Sequence, residues 1–170
     1  LEEEFKTEVQ WQKIPISYLK MTPDELDVRI TEARAAIGKR LVILGHHYQR
    51  NEIIKYADIQ GDSFKLSQHA ASQTKADSIL FCGVHFMAET ADVITGKKQN
   101  VILPNMTAGC SMADMAQYED VSDAWTDLGT ILNSDSIIPV TYMNSTASIK
   151  SICGKNNGIV CTSSNAEKAF

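Results

Sequence analysis

Several features that mark specialised proteins are missing from this sequence. Its four cysteines contain no CxxC pair, so we expect free thiols and no disulfide framework. No apolar run approaches the roughly 20 residues of a membrane span, and the acidic first residues resemble neither a signal peptide nor a transit peptide. The net charge of −5 argues against nucleic acid or an anionic membrane as the main partner. We therefore expect a cytoplasmic protein with neither partner.

The sequence has the ordinary composition of a soluble globular protein, with 44% hydrophobic and 22% charged residues in 170. Short apolar runs alternate with segments of helical periodicity, which predicts an α/β fold with short parallel sheets. Thr22-Pro23-Asp24-Glu25 is a typical helix start. Strands are predicted at 41–44, 78–82, 101–104, 137–140 and 159–161. Further helices are predicted at 112–118, 121–132 and 146–153, among others.

Two segments share a pattern in which polar side chains follow a strand. His46 and Tyr48 follow the strand 41–44, and Tyr142 and Asn144 occupy the corresponding positions after the strand 137–140. Spacing of i and i+2 on extended chain sends both side chains to the same side. In open α/β sheets, ligands bind at the carboxyl ends of the strands. The plainer interpretation is two polar loops, but a repeat of the whole pattern favours a site.

A serine follows each copy at a predicted helix start, Ser63 in the first and Ser163 in the second. Either serine could simply cap its helix, as most such serines do. A helix start also offers free backbone N–H groups and a positive dipole end, which bind carboxylate or phosphate. Together the two copies predict an internal αβ repeat whose units line a cleft for a small polyanion.

Cys110 lies between a predicted strand and a predicted helix, which leaves three interpretations open. A helix N-terminus favours a thiolate, so Cys110 could be a nucleophile or a metal ligand. It could also be an inert core residue. No surrounding Cys/His signature and no second cysteine in a comparable loop decides between them.

Six segments, taken in order, resemble the quinolinate synthase family of iron–sulfur enzymes. They cover about 40–170 and are Leu44-Gly45-His46-His47-Tyr48-Gln49, Gly61-Asp62-Ser63-Phe64-Lys65-Leu66, Gly83-Val84-His85-Phe86-Met87-Ala88-Glu89-Thr90-Ala91, Gly109-Cys110-Ser111-Met112-Ala113, Thr141-Tyr142-Met143-Asn144-Ser145-Thr146-Ala147 and Thr162-Ser163-Ser164-Asn165-Ala166. No single segment is specific, but the ordered set is.

The resemblance implies condensation of iminoaspartate with dihydroxyacetone phosphate to quinolinate, a step of NAD biosynthesis. It implies three similar αβα domains around a 4Fe–4S cluster, with one cysteine from each domain and one iron left open. Carried over by position, Cys110 would be a cluster ligand. Tyr48 and Tyr142 would be catalytic, and substrate would contact His46, Ser63, Tyr142, Asn144 and Ser163.

The resemblance also predicts how the chain is organised. We expect an N-terminal arm at 1–21, a first αβα domain at 22–109 and a second, incomplete one at 110–170. The other cluster cysteines of the family are expected beyond Phe170, so we expect the chain to be an N-terminal half that is inactive alone. A homodimer is a further expectation. The alternatives are a non-catalytic dicarboxylate- or phosphate-binding domain and, less favoured, a Cys110-dependent hydrolase.

Overall fold

A computed structural model of the chain describes residues 14–133, 136–163 and 165–169. Most of the predicted N-terminal arm therefore lies outside the described residues, as do Ser164 and Phe170 of the predicted C-terminal segment. The chain forms two compact units, residues 1–38 and 39–170. Among the described residues, no helix is both long enough and apolar enough to cross a lipid bilayer.

The first unit contains two helices, α1 (Ile16–Leu19) and α2 (Pro23–Ile37). Helix α2 begins as its sequence predicts. The Thr22 hydroxyl accepts a hydrogen bond from the Glu25 N–H, and the Glu25 carboxylate accepts one from the Thr22 N–H in return. Gly38 ends the helix at a φ of 61°, a left-handed conformation that glycine adopts without steric cost.

The second unit is α/β, as predicted, with all described strands parallel to their neighbours. The strands form a four-stranded sheet in the order β2-β1-β3-β4 and a two-stranded sheet β5-β6. They are β1 (Leu41–His46), β2 (Ile59–Gly61), β3 (Ser78–Cys82), β4 (Asn100–Ile102), β5 (Val140–Tyr142) and β6 (Ile159–Cys161). The helices are α3 (Asn51–Ile54), α4 (Ser63–Ser72), α5 (His85–Ile94), α6 (Tyr118–Ile131), α7 (Ala147–Lys155) and α8 (Ala166–Ala169).

One apolar core runs through this unit. It includes residues from the four-stranded sheet, from α4 and α5, and from the segment that follows β5. Leu44, Ile79 and Phe81 of β1 and β3 are fully buried, and they pack with Leu66 of α4. Met143, which follows β5, belongs to the same cluster. Continuous burial of this kind suits central parallel strands, whose faces are both covered by helices.

Three elements differ from their predictions for identifiable reasons. The predicted helix 112–118 is a series of turns, because only Ala113 of that segment is buried and no apolar face is available to pack it. Strand β2 was not predicted, since three residues carry too little periodicity. Strand β5 begins at Val140 and not at 137, so Pro139 precedes the strand and removes no ladder N–H from it.

Candidate functional site

His46 and Ser63 form the first part of the site. His46 is the last residue of β1 and is buried, with 6% of its surface exposed, and its Nε2 lies 3.3 Å from the Ser63 hydroxyl. Asp62, and not Ser63, caps α4 by accepting the Lys65 N–H. The Ser63 hydroxyl is therefore available to the site, which settles the capping question that the sequence left open.

The histidine is neutral at ordinary pH. Burial, together with the neighbouring His47, lowers the pKa of His46 to about 4, and Asp62 opposes the shift in part. Nδ1 of His46 faces the Tyr48 N–H at 3.4 Å and so acts as an acceptor. This assigns the proton to Nε2, which donates to Ser63 and leaves the serine O–H free to donate to a ligand.

Tyr142 and Ser163 form the corresponding pair in the second copy. Tyr142 ends β5, and its hydroxyl lies 2.8 Å from the Ser163 hydroxyl. Ser163 stands in a turn three residues before α8, not at a helix start as predicted. The helix-dipole contribution expected for Ser163 is therefore weaker than for Ser63, because α8 spans only four described residues.

The two pairs occupy equivalent positions of their strand registers. His46 is paired with Gly61 across β1 and β2, and Tyr142 is paired with Cys161 across β5 and β6. In each case the serine lies two residues beyond the paired residue. The N–H after each strand also donates to the paired carbonyl, from His47 to Gly61 at 3.2 Å and from Met143 to Cys161 at 2.8 Å. These equivalences support the predicted repeat, which remains a prediction for the units as a whole.

Cys110 connects the two copies. Its sulfur is half-buried against the core and accepts a hydrogen bond from the Asn144 side-chain amide at 3.7 Å. Burial raises the pKa of Tyr48, and the electrostatic influence of Cys110 raises it further. The structure thus brings Asn144 of the second copy into contact with the sulfur and places Tyr48 of the first copy within its electrostatic range.

The surroundings of Cys110 revise one part of its sequence interpretation. Residues 111–116 form turns and no helix, so the helix-dipole reason for a reactive thiolate does not apply. Two residues before Cys110, the Ala108 carbonyl accepts a hydrogen bond from the His85 N–H at 2.9 Å, which fixes the position of this backbone. Among the residues that the structure describes, no three His, Cys, Asp or Glu side chains converge to hold a metal ion.

Sequence reasoning missed three polar side chains behind the site: Glu89, Thr90 and Lys150. The first two lie in α5, whose neighbours Phe86, Met87, Ala88 and Ala91 are buried. A Glu-Thr pair within an otherwise apolar helix segment was the signal that could have identified them, since buried charge requires a partner.

The chain matches the sequence profile of the family described as "Quinolinate synthetase A protein" over residues 28–170. Curated relatives carry the name quinolinate synthase. That of Nocardioides sp. is 59% identical over 84% of this chain and 36% of the relative. The relative from Corynebacterium glutamicum is 54% identical over 94% of this chain and 40% of the relative. The relative from Halalkalibacterium halodurans is 51% identical over 96% of this chain and 44% of the relative.

The chain thus spans well under half the length of these curated relatives. The matched region includes both αβ segments and every side chain of the candidate site, from His46 to Ser163. Identity above 50% over most of the chain is far beyond what a shared fold alone would produce. The chain belongs to the quinolinate synthase family.

Proposed function

We propose that this chain supplies one wall of the active site of a quinolinate synthase, an enzyme of NAD biosynthesis. The reaction would condense iminoaspartate with dihydroxyacetone phosphate and release water and phosphate to give quinolinate. The observation that carries the proposal is the hydrogen bond from the Asn144 amide to the Cys110 sulfur, with Tyr48 close enough for Cys110 to influence its pKa. We further propose a cytoplasmic location, which the free state of all four cysteines favours.

The two hydroxyl-containing pairs suit the anionic groups of these substrates. His46 donates to Ser63, so the serine can donate onward to a carboxylate or phosphate oxygen. Tyr142 and Ser163 share a single hydrogen-bonded proton, which leaves one further hydroxyl proton for the ligand. Because His46 stays neutral, it binds anions by hydrogen bonding and adds no full charge.

The two tyrosines are the proposed acid–base residues. Both phenols are accessible, Tyr48 being 50% and Tyr142 42% exposed. The raised pKa of Tyr48 keeps its proton in place at neutral pH, so Tyr48 would act first as a proton donor. Asn144, held at Cys110, would orient substrate by its amide.

The family implies a 4Fe–4S cluster, and this chain fits one part of its requirement. Cys110 is a half-buried thiol with a hydrogen-bond donor on its sulfur, a surrounding typical of a cluster cysteine. When bound, the cluster would supply an open iron that acts as a Lewis acid. One thiol cannot hold it, so we propose that the other ligands come from the length of the relatives that this chain does not cover, and that the chain alone is inactive.

The same proposal includes the domain organisation, with αβα segments at 22–109 and 110–170 that meet near Cys110. Substrates would be the only small-molecule partners, and any homodimer would be additional to this active site. The matching registers of His46 with Gly61 and Tyr142 with Cys161 are the support for two related segments.

The test uses a protein of the relatives' full length that contains these residues, purified without oxygen. We expect the broad visible absorbance of a 4Fe–4S cluster and quinolinate formation, and we expect Cys110→Ala to abolish both. Cys153→Ala is the matched control, because Cys153 is a free thiol near the end of α7 and takes no part in the contacts described for the site. A cluster that is retained in the Cys110→Ala protein would contradict the assignment of Cys110 as a cluster ligand.

The alternative, a domain that binds dicarboxylates without catalysis, is favoured by one observation: side chains of this chain alone form both serine pairs. Calorimetry with a four-carbon dicarboxylate distinguishes it. Binding that His46→Ala abolishes, in a full-length protein with neither cluster nor product, would support the alternative.

A further inference from the structure

A half-buried polar network joins helix α5 to helix α7. The Glu89 carboxylate accepts a hydrogen bond from the Ala147 N–H at 2.7 Å, at the first turn of α7. The Lys150 ammonium donates to the Thr90 hydroxyl at 3.0 Å and to the Ser145 carbonyl at 2.6 Å. Helix α5 thus fixes the start of α7 through Glu89 and binds Lys150 of α7, which in turn holds Ser145, two residues before that helix.

Partial burial of the Lys150 ammonium costs free energy, because it removes the charge from water. Burial lowers the pKa of Lys150 to about 8, while the negative charge of Glu89 opposes the shift. The ammonium also lies 5.3 Å from the centre of the Phe86 ring, a favourable cation–π distance. A half-buried cation held by a hydroxyl, a carbonyl and a ring has a defined position, unlike a surface lysine.

The network holds the loop that carries Asn144. Ser145 is buried, its carbonyl accepts from Lys150, and its hydroxyl donates to the Tyr142 carbonyl at 2.8 Å. Asn144 lies between these two fixed residues, and its amide reaches Cys110. A shift of Ser145 would therefore move Asn144 relative to the sulfur.

Helix α5 also holds the loop on the other side of that contact. The N–H of His85, its first residue, donates to the Ala108 carbonyl, two residues before Cys110. Both sides of the Asn144–Cys110 contact are therefore attached to the same helix, one at its first residue and the other about a turn later.

We propose that Glu89, Thr90 and Lys150 are positioning residues that set the distance from Asn144 to Cys110 and thereby the shape of the wall between the two αβ segments. Their catalytic importance rests on the proposed function, but the geometric claim does not. The proposal is therefore tested on the 170-residue chain itself, without a cluster or substrate.

The test measures the rate at which iodoacetamide alkylates Cys110, followed by peptide mass mapping. The Asn144 amide covers the sulfur and occupies one of its lone pairs. With rates compared at their high-pH plateau, where differences in ionisation no longer contribute, Asn144→Ala should raise the rate about two- to fivefold, the effect of losing one weak hydrogen bond. Lys150→Met keeps the length of the side chain and removes its donors. We expect it to raise the rate to the same level, and we expect the double variant to show no further increase.

The controls separate positioning from general loosening of the fold. Lys155→Met makes the same replacement on the exposed last turn of α7 and should leave the rate unchanged. Cys82 serves as an internal reference, because general loosening would raise its alkylation too. If Lys150→Met does not fold, Glu89→Gln and Thr90→Val remove single parts of the network and should each give a smaller increase.

Three results would overturn the proposal: a rate in Lys150→Met that equals the Lys155→Met rate, additive effects in the double variant, or an equal rise at Cys82. None of these would affect the assignment of Cys110 as a cluster ligand, which depends on cluster absorbance in the full-length protein. A full-length protein without a cluster would conversely leave the alkylation result standing.

Discussion

At the scale of single residues, His46 combines burial with close contact to two other rings. Its ring centre lies 4.3 Å from that of His47 and 4.0 Å from that of Tyr48, and burial keeps it neutral. A neutral imidazole whose tautomer is fixed can donate from Nε2 without carrying a charge. The same burial makes protonation of this residue costly to the fold.

His46 should therefore make the stability of the chain depend on pH. Its pKa is about 4 in the folded chain against 6.5 for an unperturbed histidine, so between these limits the unfolded chain binds the proton more readily. Its contribution is fully present above about pH 6.5 and is lost as the pH falls toward 4, by about 3 kcal/mol at most. Urea denaturation of the wild type and of His46→Gln from pH 7 to 4 measures the difference. Parallel stability profiles for the two proteins would contradict the prediction.

The sequence predicted only those groupings of site residues that lie close together along the chain. The i, i+2 spacing identified His46 with Tyr48 and Tyr142 with Asn144, because side-chain direction along a strand follows from backbone geometry alone. The contact of Asn144 with Cys110 joins residues 34 positions apart and depends on how the chain folds back. Lys150 was missed for the same reason, since its partner Thr90 is 60 positions away.

At the scale of elements, the junction of α7 with β6 depends on close backbone packing. Asn157 has a φ of 56°, and the Gly158 N–H donates to the Cys153 carbonyl at 2.7 Å. A Cβ on Gly158 would collide with the Pro139 carbonyl and lie 2.9 Å from the Cys153 carbonyl. Backbone atoms on both sides leave no flexible group that could move away.

Two glycine-to-alanine changes should therefore have opposite signs. Gly158→Ala should lower the free energy of unfolding by about 2 kcal/mol or more, because backbone atoms must shift to admit the Cβ. Gly154→Ala, four residues earlier on α7 in open space, should raise it by about 0.5–1 kcal/mol, the helix propensity gain. Urea denaturation of both variants measures this. A stabilising Gly158→Ala would show that the strand pair β5-β6 tolerates a wider separation.

Elements were predictable where a strong local signal exists. The capping box of α2 and the apolar run of β3 gave the right elements at nearly the right boundaries. Strand β2 has three residues and exists only because β1 offers it a ladder, so its cause is not in its own sequence. The segment 111–116 has helix-forming residues but no buried face, and tertiary packing decided against the helix.

At the scale of the whole molecule, the unit of residues 39–170 exposes several large apolar side chains. Met115 is 81% exposed, Ile131 79%, Val93 68% and Ile138 67%. Apolar side chains left in water favour association, in proportion to the area that contact removes from water.

We therefore expect the chain to self-associate as its concentration rises. Sedimentation velocity over a hundredfold range of concentration measures this. Met115→Lys combined with Ile131→Lys should reduce the association, whereas Gln60→Lys, an added lysine at an exposed polar position, should leave it unchanged. A chain that stays monomeric throughout, or equal association of both variants, would contradict the expectation.

Helix α5 has a consequence for how this protein can change in length. Its first residue, His85, holds one loop, and Glu89 and Thr90 hold the other about one turn later. One residue inserted between them would turn Glu89 and Thr90 by about 100° and move them about 1.5 Å along the axis, away from Ala147 and Lys150. Substitutions between residues 85 and 90 preserve this spacing, whereas insertions and deletions change it. The length of one helical turn in α5 thus sets the spacing between the two αβ segments.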